Sequence, residues 1–199
     1  MRIRTRYWGL GVLSALAAAL VLLAALPSSA SDMAQHVRWD IVSNNGVPPV
    51  TINPGGHASA TAPNGGGTIT LTGSGTFVAP ASGGSSAAAT GGGAWTTSSG
   101  RTGTYTVTGL VSWVNAGPQT PTPSTTDNID HGTRVNGTAV LRIAFSDGSE
   151  GVLTIGCHGA GAPPGIFEGI ATTKGSTTYY DVPDPVLGVD AGRTNFHVR

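Results

Sequence analysis

Apolar side chains in this chain recur at every second position, and beyond the first thirty residues no segment repeats them at helical spacing. Successive side chains of a strand point to opposite faces, so this alternation builds sheets with one apolar face and one solvated face. In His36–Val42, Val37, Trp39 and Ile41 share one face while His36, Arg38 and Asp40 take the other. Thr68–Val78 turns Ile69, Leu71 and Phe77 inward and Thr68, Thr70, Thr72 and Thr76 outward. In Thr102–Asn115 the inner set is Tyr105, Val107, Val111 and Trp113, opposed by Thr104, Thr106, Thr108 and Ser112. Thr133–Phe145 carries Val135, Ala139, Leu141, Ile143 and Phe145 on its core side. It runs through Ser146-Asp147-Gly148-Ser149 into Gly151–His158, the pattern of a hairpin. Ile166–Lys174 and Thr177–Val182 read as a second hairpin, and Thr194–Val198 as a terminal strand. Short strands at His57–Ala62 and Ala94–Thr97 bring the count to nine or ten. The expected fold is all-β, an antiparallel β-barrel or β-sandwich. Glycines inside strands (Gly73, Gly75, Gly109, Gly137 and Gly169) mark bulges and corners, which suits a sheet coiling back on itself.

The first thirty residues have a different pattern. Arg2, Arg4 and Arg6 precede an apolar run from Leu10 to Leu26, followed by Pro27 and a Ser28-x-Ala30 site. Basic, apolar and small-residue regions in that order make a secretory signal peptide, so the expectation is a leader over 1–30 and a secreted all-β domain over 31–199. The alternative is an uncleaved anchor holding the domain on the outer side of a membrane, since about 17–25 apolar residues can span one. With cleavage, no membrane contact remains.

Composition narrows the function classes. Charged residues make up 10% of the chain, against roughly 25% in an ordinary globular protein. Beyond the leader seven basic residues face ten acidic ones, a net charge of −3, which gives no basic footprint for a nucleic acid. The single cysteine, Cys157, excludes an intramolecular disulfide. Two segments read as loops by composition: Ala79–Gly93, nearly all Ala, Ser and Gly, and the Pro- and Thr-rich Ala116–Gly132. A loop as long as the second is usually functional or disordered.

Several motifs of the second half, namely Gly91-Gly92-Gly93-Ala94-Trp95, Ser146-Asp147-Gly148-Ser149-Glu150-Gly151, Cys157-His158, Phe167-Glu168-Gly169-Ile170 and Phe196-His197-Val198, resemble an uncharacterised family of small secreted bacterial β-rich proteins. The resemblance covers about 91–199. It implies export and a compact β fold, and it implies no activity.

Chemistry-bearing patterns are sparse. Phosphate-binding, zincin, CxxC and dinucleotide-binding motifs are absent from the sequence beyond the leader, and nothing calls for a cofactor or a metal. Ser149 lacks the glycine two residues before it that a nucleophile elbow requires. Cys157 and His158 are neighbours on a strand and point to opposite faces, so Cys157, in phase with Leu153 and Ile155, reads as core and His158 as the polar candidate. Glu168 shares a strand face with Ile166 and Ile170, where an unpaired carboxylate is costly. It is either an acid in a pocket or the partner of Arg142, Lys174 or a tyrosine. A carboxylate pair with Glu150 would suit glycoside hydrolysis. The loop residues Asp127, Asp130 and His131, and Asp181, Asp184 and Asp190, read as turn chemistry. Trp39, Tyr105 and Trp113 fall on core positions, leaving Trp95 and Tyr180 as the exposed aromatics for a ligand.

Three functions follow as expectations. The first is a secreted non-catalytic domain binding a glycan, an envelope component or a small apolar ligand. The second is a barrel-type enzyme using Glu168 with His158 or Tyr179 in acid–base chemistry. The third is a structural or adhesive surface protein.

Overall fold

A computed structural model describes residues 34–44, 48–80, 84–129, 132–181 and 192–199. The leader, Asp130, His131, Asp184, Asp190 and the Val182 end of the second hairpin lie outside the described residues. The described chain is all-β, with thirteen strands and one short 3-10 turn at Pro63–Gly65. In order they are β1 (Gln35–Asn44), β2 (Val50–Pro54), β3 (Ala58–Thr61), β4 (Thr68–Leu71), β5 (Ser74–Ala79), β6 (Ala89–Thr97) and β7 (Thr102–Pro118). They continue as β8 (Thr125–Asp127), β9 (Thr133–Phe145), β10 (Glu150–Cys157), β11 (Gly169–Lys174), β12 (Thr177–Tyr179) and β13 (Thr194–Val198).

Six strands close on themselves as an antiparallel barrel in the order β1, β5, β6, β7, β9, β13 and back to β1. The alternative of a sandwich falls with that closure. Beyond the barrel, β9 also pairs β10, followed by β11 and β12, while β6 also pairs β4, followed by β3. The two outgrowths meet where Thr61 bridges Asp181. β2 pairs the end of β1 and carries β8 parallel to itself, forming a flap.

The inward sets of the alternation line one continuous core. Val37, Trp39, Ile41, Ile69, Leu71 and Phe77 are all buried. Trp113 packs edge-on between Phe77 and Phe196, with ring centroids 5.4 and 4.7 Å away, geometries that aromatic quadrupoles favour.

The structure departs from the alternation in four places. In β7 the register against β9 shifts between Val107 and Gly109 and again between Leu110 and Ser112. Each bulge inserts one residue and flips the side-chain phase, so Leu110 fills the core where Val111 was expected, and Val111 is only half-buried. Thr68–Val78 is two strands, β4 and β5, which break at Thr72-Gly73 and leave for different neighbours of the sheet. The Ala/Ser/Gly segment is a loop only in part, because β6 begins at Ala89. A methyl group on Gly91 would collide with the Ser74 carbonyl oxygen, and one on Gly93 with that of Thr72. These glycines therefore permit close strand approach and do not signal a linker. The Pro/Thr-rich segment also contains structure: β7 runs on to Pro118, and β8 follows. β8 is too short to show an alternation, whereas β2 alternates Val50 and Ile52 with Thr51 and Asn53 and is a strand that the sequence reading leaves out.

Candidate functional site

Glu168 sits one residue before β11, where the ends of β10 and β13 converge, and not within a strand as the alternation suggests. Its Oε2 accepts the main-chain N–H of His158 at 2.6 Å, and its Oε1 accepts that of Thr194 at 2.8 Å. The expected partners Arg142, Lys174 or a tyrosine are replaced by two backbone amides. Burial pushes the Glu168 carboxyl up to about 7, opposed by the two amides and by the charge of Arg193. The Thr194 hydroxyl donates to Gly156 O at 2.6 Å, tightening the same junction.

His158 is exposed, and its Nδ1 lies 2.6 Å from Ile166 O. A carbonyl only accepts, so Nδ1 carries the hydrogen and the ring is tied to the loop. His158 therefore reaches Glu168 through its main chain, and its imidazole is engaged elsewhere. Cys157 is buried; its thiol donates to Thr194 O at 3.4 Å and accepts from Gln119 Nε2 at 3.2 Å. Burial first, and the Glu168 charge second, push that thiol well above its ordinary range, so it stays protonated and non-nucleophilic.

Tyr179 and Glu150 do not join this junction. Tyr179 lies opposite Thr172 on β12 and lines a different cleft from Glu168. Glu150 begins β10 whereas Glu168 grips the residue after its end. Eight residues of strand separate them by roughly 26 Å, well beyond the spacing of a glycosidase pair, about 5–9.5 Å.

Sequence reasoning missed a polar hub beside the junction. Asp127 on β8 accepts from Ile129 N at 3.0 Å through Oδ1. Its Oδ2 lies 2.9 Å from His197 Nε2, 3.3 Å from Asn195 Nδ2 and 3.8 Å from Arg134 Nε. Burial pushes the Asp127 carboxyl up, but these hydrogen bonds and positive charges outweigh it and hold it below its ordinary value. The contacts fasten the flap to β13 and β9. The only sequence signal was the outward parity of Asn195 and His197, which predicts solvent; the flap covers them instead, leaving both side chains buried.

The aromatic candidates divide. Trp95, expected to be exposed, is 2% exposed because its position on β6 faces the core. Its Nε1 donates to Thr104 O at 3.2 Å, and Lys174 Nζ lies 4.3 Å above its ring. Lys174 also binds Ser149 Oγ at 2.8 Å and the Asp147 carboxylate, so the Ser149 hydroxyl serves the turn. Tyr180 is 58% exposed. Trp95 and Tyr179 line one cleft of about 420 Å³ with Thr68, Ser98, Arg101 and Lys174.

Beside that cleft lies a sheet face lined with hydroxyls. Ser59 on β3 pairs Thr70 on β4, Thr70 pairs Thr96 on β6, and Thr96 pairs Thr102 on β7. Oxygens of Ser59 and Thr70 are 2.7 Å apart. Thr61 and Thr68 form the neighbouring row, 3.2 Å apart, and Thr68 also borders the cleft. Thr104 and Thr106 continue the exposed face along β7. Among the described residues, no group of three or more His, Cys, Asp or Glu side chains is placed to hold a metal ion. No protein-family model, no curated protein and no solved structure matches this chain.

Proposed function

We propose that this chain is a secreted, non-catalytic β-barrel domain that binds an uncharged, polyhydroxylated ligand, a glycan strand. The ligand lies across the hydroxyl rows of β3, β4, β6 and β7 and enters the cleft beside Tyr179. The observation that carries this reading is the row Ser59, Thr70, Thr96 and Thr102, in register across four strands with no charged side chain in it. Strands about 4.8 Å apart, with outward residues about 6.7 Å apart along each, present donors and acceptors on a regular lattice. Such a surface offers hydrogen bonds to sugar hydroxyls, and Tyr179 adds an apolar edge. The commitment of Glu168, His158 and Cys157 to structural hydrogen bonds supports binding over turnover.

The test is binding to cellohexaose, chitohexaose and insoluble peptidoglycan, compared between the wild type and a Thr70→Val, Thr96→Val, Thr102→Val triple variant. Valine keeps the strand shape and removes the hydroxyls. The reading expects at least one glycan to bind and the triple variant to lose about tenfold in affinity, as follows from about 1 kcal/mol or more of lost hydrogen bonding. Absence of binding to all three at millimolar concentration removes the glycan reading and leaves the structural or adhesive role.

One observation favours the enzymatic alternative: Glu168 titrates near neutrality at the wall of a cleft. If the protein hydrolyses any glycoside or ester and Glu168→Gln leaves that rate unchanged, the acid–base assignment is lost.

A further inference from the structure

A second cleft, of about 320 Å³, opens between the Glu168 junction and the flap, a volume at the lower end of small-molecule sites, roughly 300–1,000 Å³. One wall is apolar, formed by Val42, Pro48, Val50, Ile52 and Pro123. The other is polar and contains Glu168, Arg193 and Asn195.

The polar wall is chemically incomplete. Arg193 is half-buried, and among the described residues its guanidinium makes no salt bridge or side-chain hydrogen bond. Arg134, the other arginine of the cleft, is matched by Asp127. Glu168 feels the charge of Arg193, but the two side chains make no salt bridge, and burial lets the Glu168 carboxyl hold its proton up to about pH 7. Arg193 thus shares the cleft with an apolar wall, and no described side chain forms a salt bridge with its guanidinium.

We propose that this cleft binds a small amphipathic monocarboxylate, its carboxylate paired with the Arg193 guanidinium and its apolar body laid along Val42, Val50 and Ile52. A single negative charge fits the one guanidinium of the cleft that forms no salt bridge among the described residues, since guanidinium and carboxylate pair through two parallel hydrogen bonds. A dianion such as phosphate fits less well: it would need a second free cation, and Arg134 is already matched. The site is separate from the hydroxyl face, and the proposal does not depend on the glycan reading.

The experiment titrates the protein with sodium octanoate, 1-octanol and octylamine, read by calorimetry, melting temperature and amide chemical shifts. Octanoate raises the melting temperature and moves the amide signals of His158, Thr194 and Asn195. It binds about tenfold or more tightly than octanol or octylamine, as expected for a charge-assisted pair of about 1.5–3 kcal/mol. Arg193→Met keeps the apolar stem, and it abolishes the preference for octanoate over octanol. If that variant does not fold, the wild-type ranking of the three probes decides alone. Octanoate without effect at millimolar concentration, octanoate no better than octanol, or a preference that survives in a folded Arg193→Met protein each overturns the proposal.

Discussion

Each oxygen of the Glu168 carboxyl accepts one main-chain N–H, from His158 at 2.6 Å and from Thr194 at 2.8 Å, and so joins the ends of β10 and β13. Glu168→Gln turns an NH2 group toward one of those N–H donors, so the variant is expected to lose about 1–3 kcal/mol in urea denaturation at pH 5. The wild type itself should weaken as pH rises. Its Glu168 titrates at about 7 in the folded chain against 4.5 when unperturbed, so the folded state holds the proton longer. The stability this contributes is complete below pH about 4.5 and is lost as pH rises through about 7, by up to about 3 kcal/mol. The gap between wild type and Glu168→Gln should therefore narrow from pH 5 to pH 8, and a gap independent of pH would show that Glu168 is ionised throughout. Cys157 gives a simpler expectation. Its buried thiol should react with a disulfide reagent only as fast as the chain unfolds, and completely in 6 M guanidinium.

At the scale of elements, β6 makes a close seam of the barrel. Where β6 passes between β5 and β7, Gly91 and Gly93 stand so close to neighbouring main chain that no side chain fits. Gly93→Ala is expected to cost about 3 kcal/mol, visible as a drop of several degrees in melting temperature, because the seam must open to admit a methyl group. The flap is the second case. Among the described residues β8, three residues long, pairs only β2, and β2 pairs just the end of β1, so the contacts of Asp127 with His197, Asn195 and Arg134 add the hold of the flap on β13 and β9. Asp127→Asn should speed amide exchange in Thr51–Asn53 and Thr125–Asp127 by at least tenfold, while β9 and β13 exchange as before. Equal exchange in both proteins would mean that strand pairing alone secures the flap.

At the scale of the molecule, the described strands share one core. Trp39, Tyr105, Leu141, Leu153 and Phe196 belong to the same buried cluster, which runs from the six-strand barrel into the outgrowth of β10–β12. Unfolding should therefore be a single transition, with tryptophan fluorescence and far-ultraviolet circular dichroism coincident in urea. Two separated transitions would show that the outgrowth and the barrel are independent. Closure brings strands from opposite ends of the sequence together: β1 pairs β13, with Val37 opposite Val198. Loop closure over such distances is slow, so refolding is expected in milliseconds to seconds and not in microseconds.

Much of this was legible in the residues themselves. Thr133–Phe145 and Thr194–Val198 are strands with the bounds their alternation gives, and the turn at Asp147-Gly148 closes where its chemistry requires, with Gly148 N donating to Phe145 O at 3.0 Å. Burial of alternate side chains is a local rule, which is why it can be read without a partner strand in view. Phase within β7 was not legible, because a bulge depends on how two strands meet and Gly109 alone does not say which residue is extra. Nor were the neighbours of Glu168. Their donors are main-chain groups of residues 10 and 26 positions away, and every residue except proline offers the same N–H. The alternation of apolar and hydroxyl side chains sufficed for an all-β chain with a hydroxyl face. Closure of the barrel, the contacts of the flap through Asp127 and the meeting of Arg193 with Glu168 in one cleft arise from contacts between distant segments, which the one-dimensional pattern does not encode.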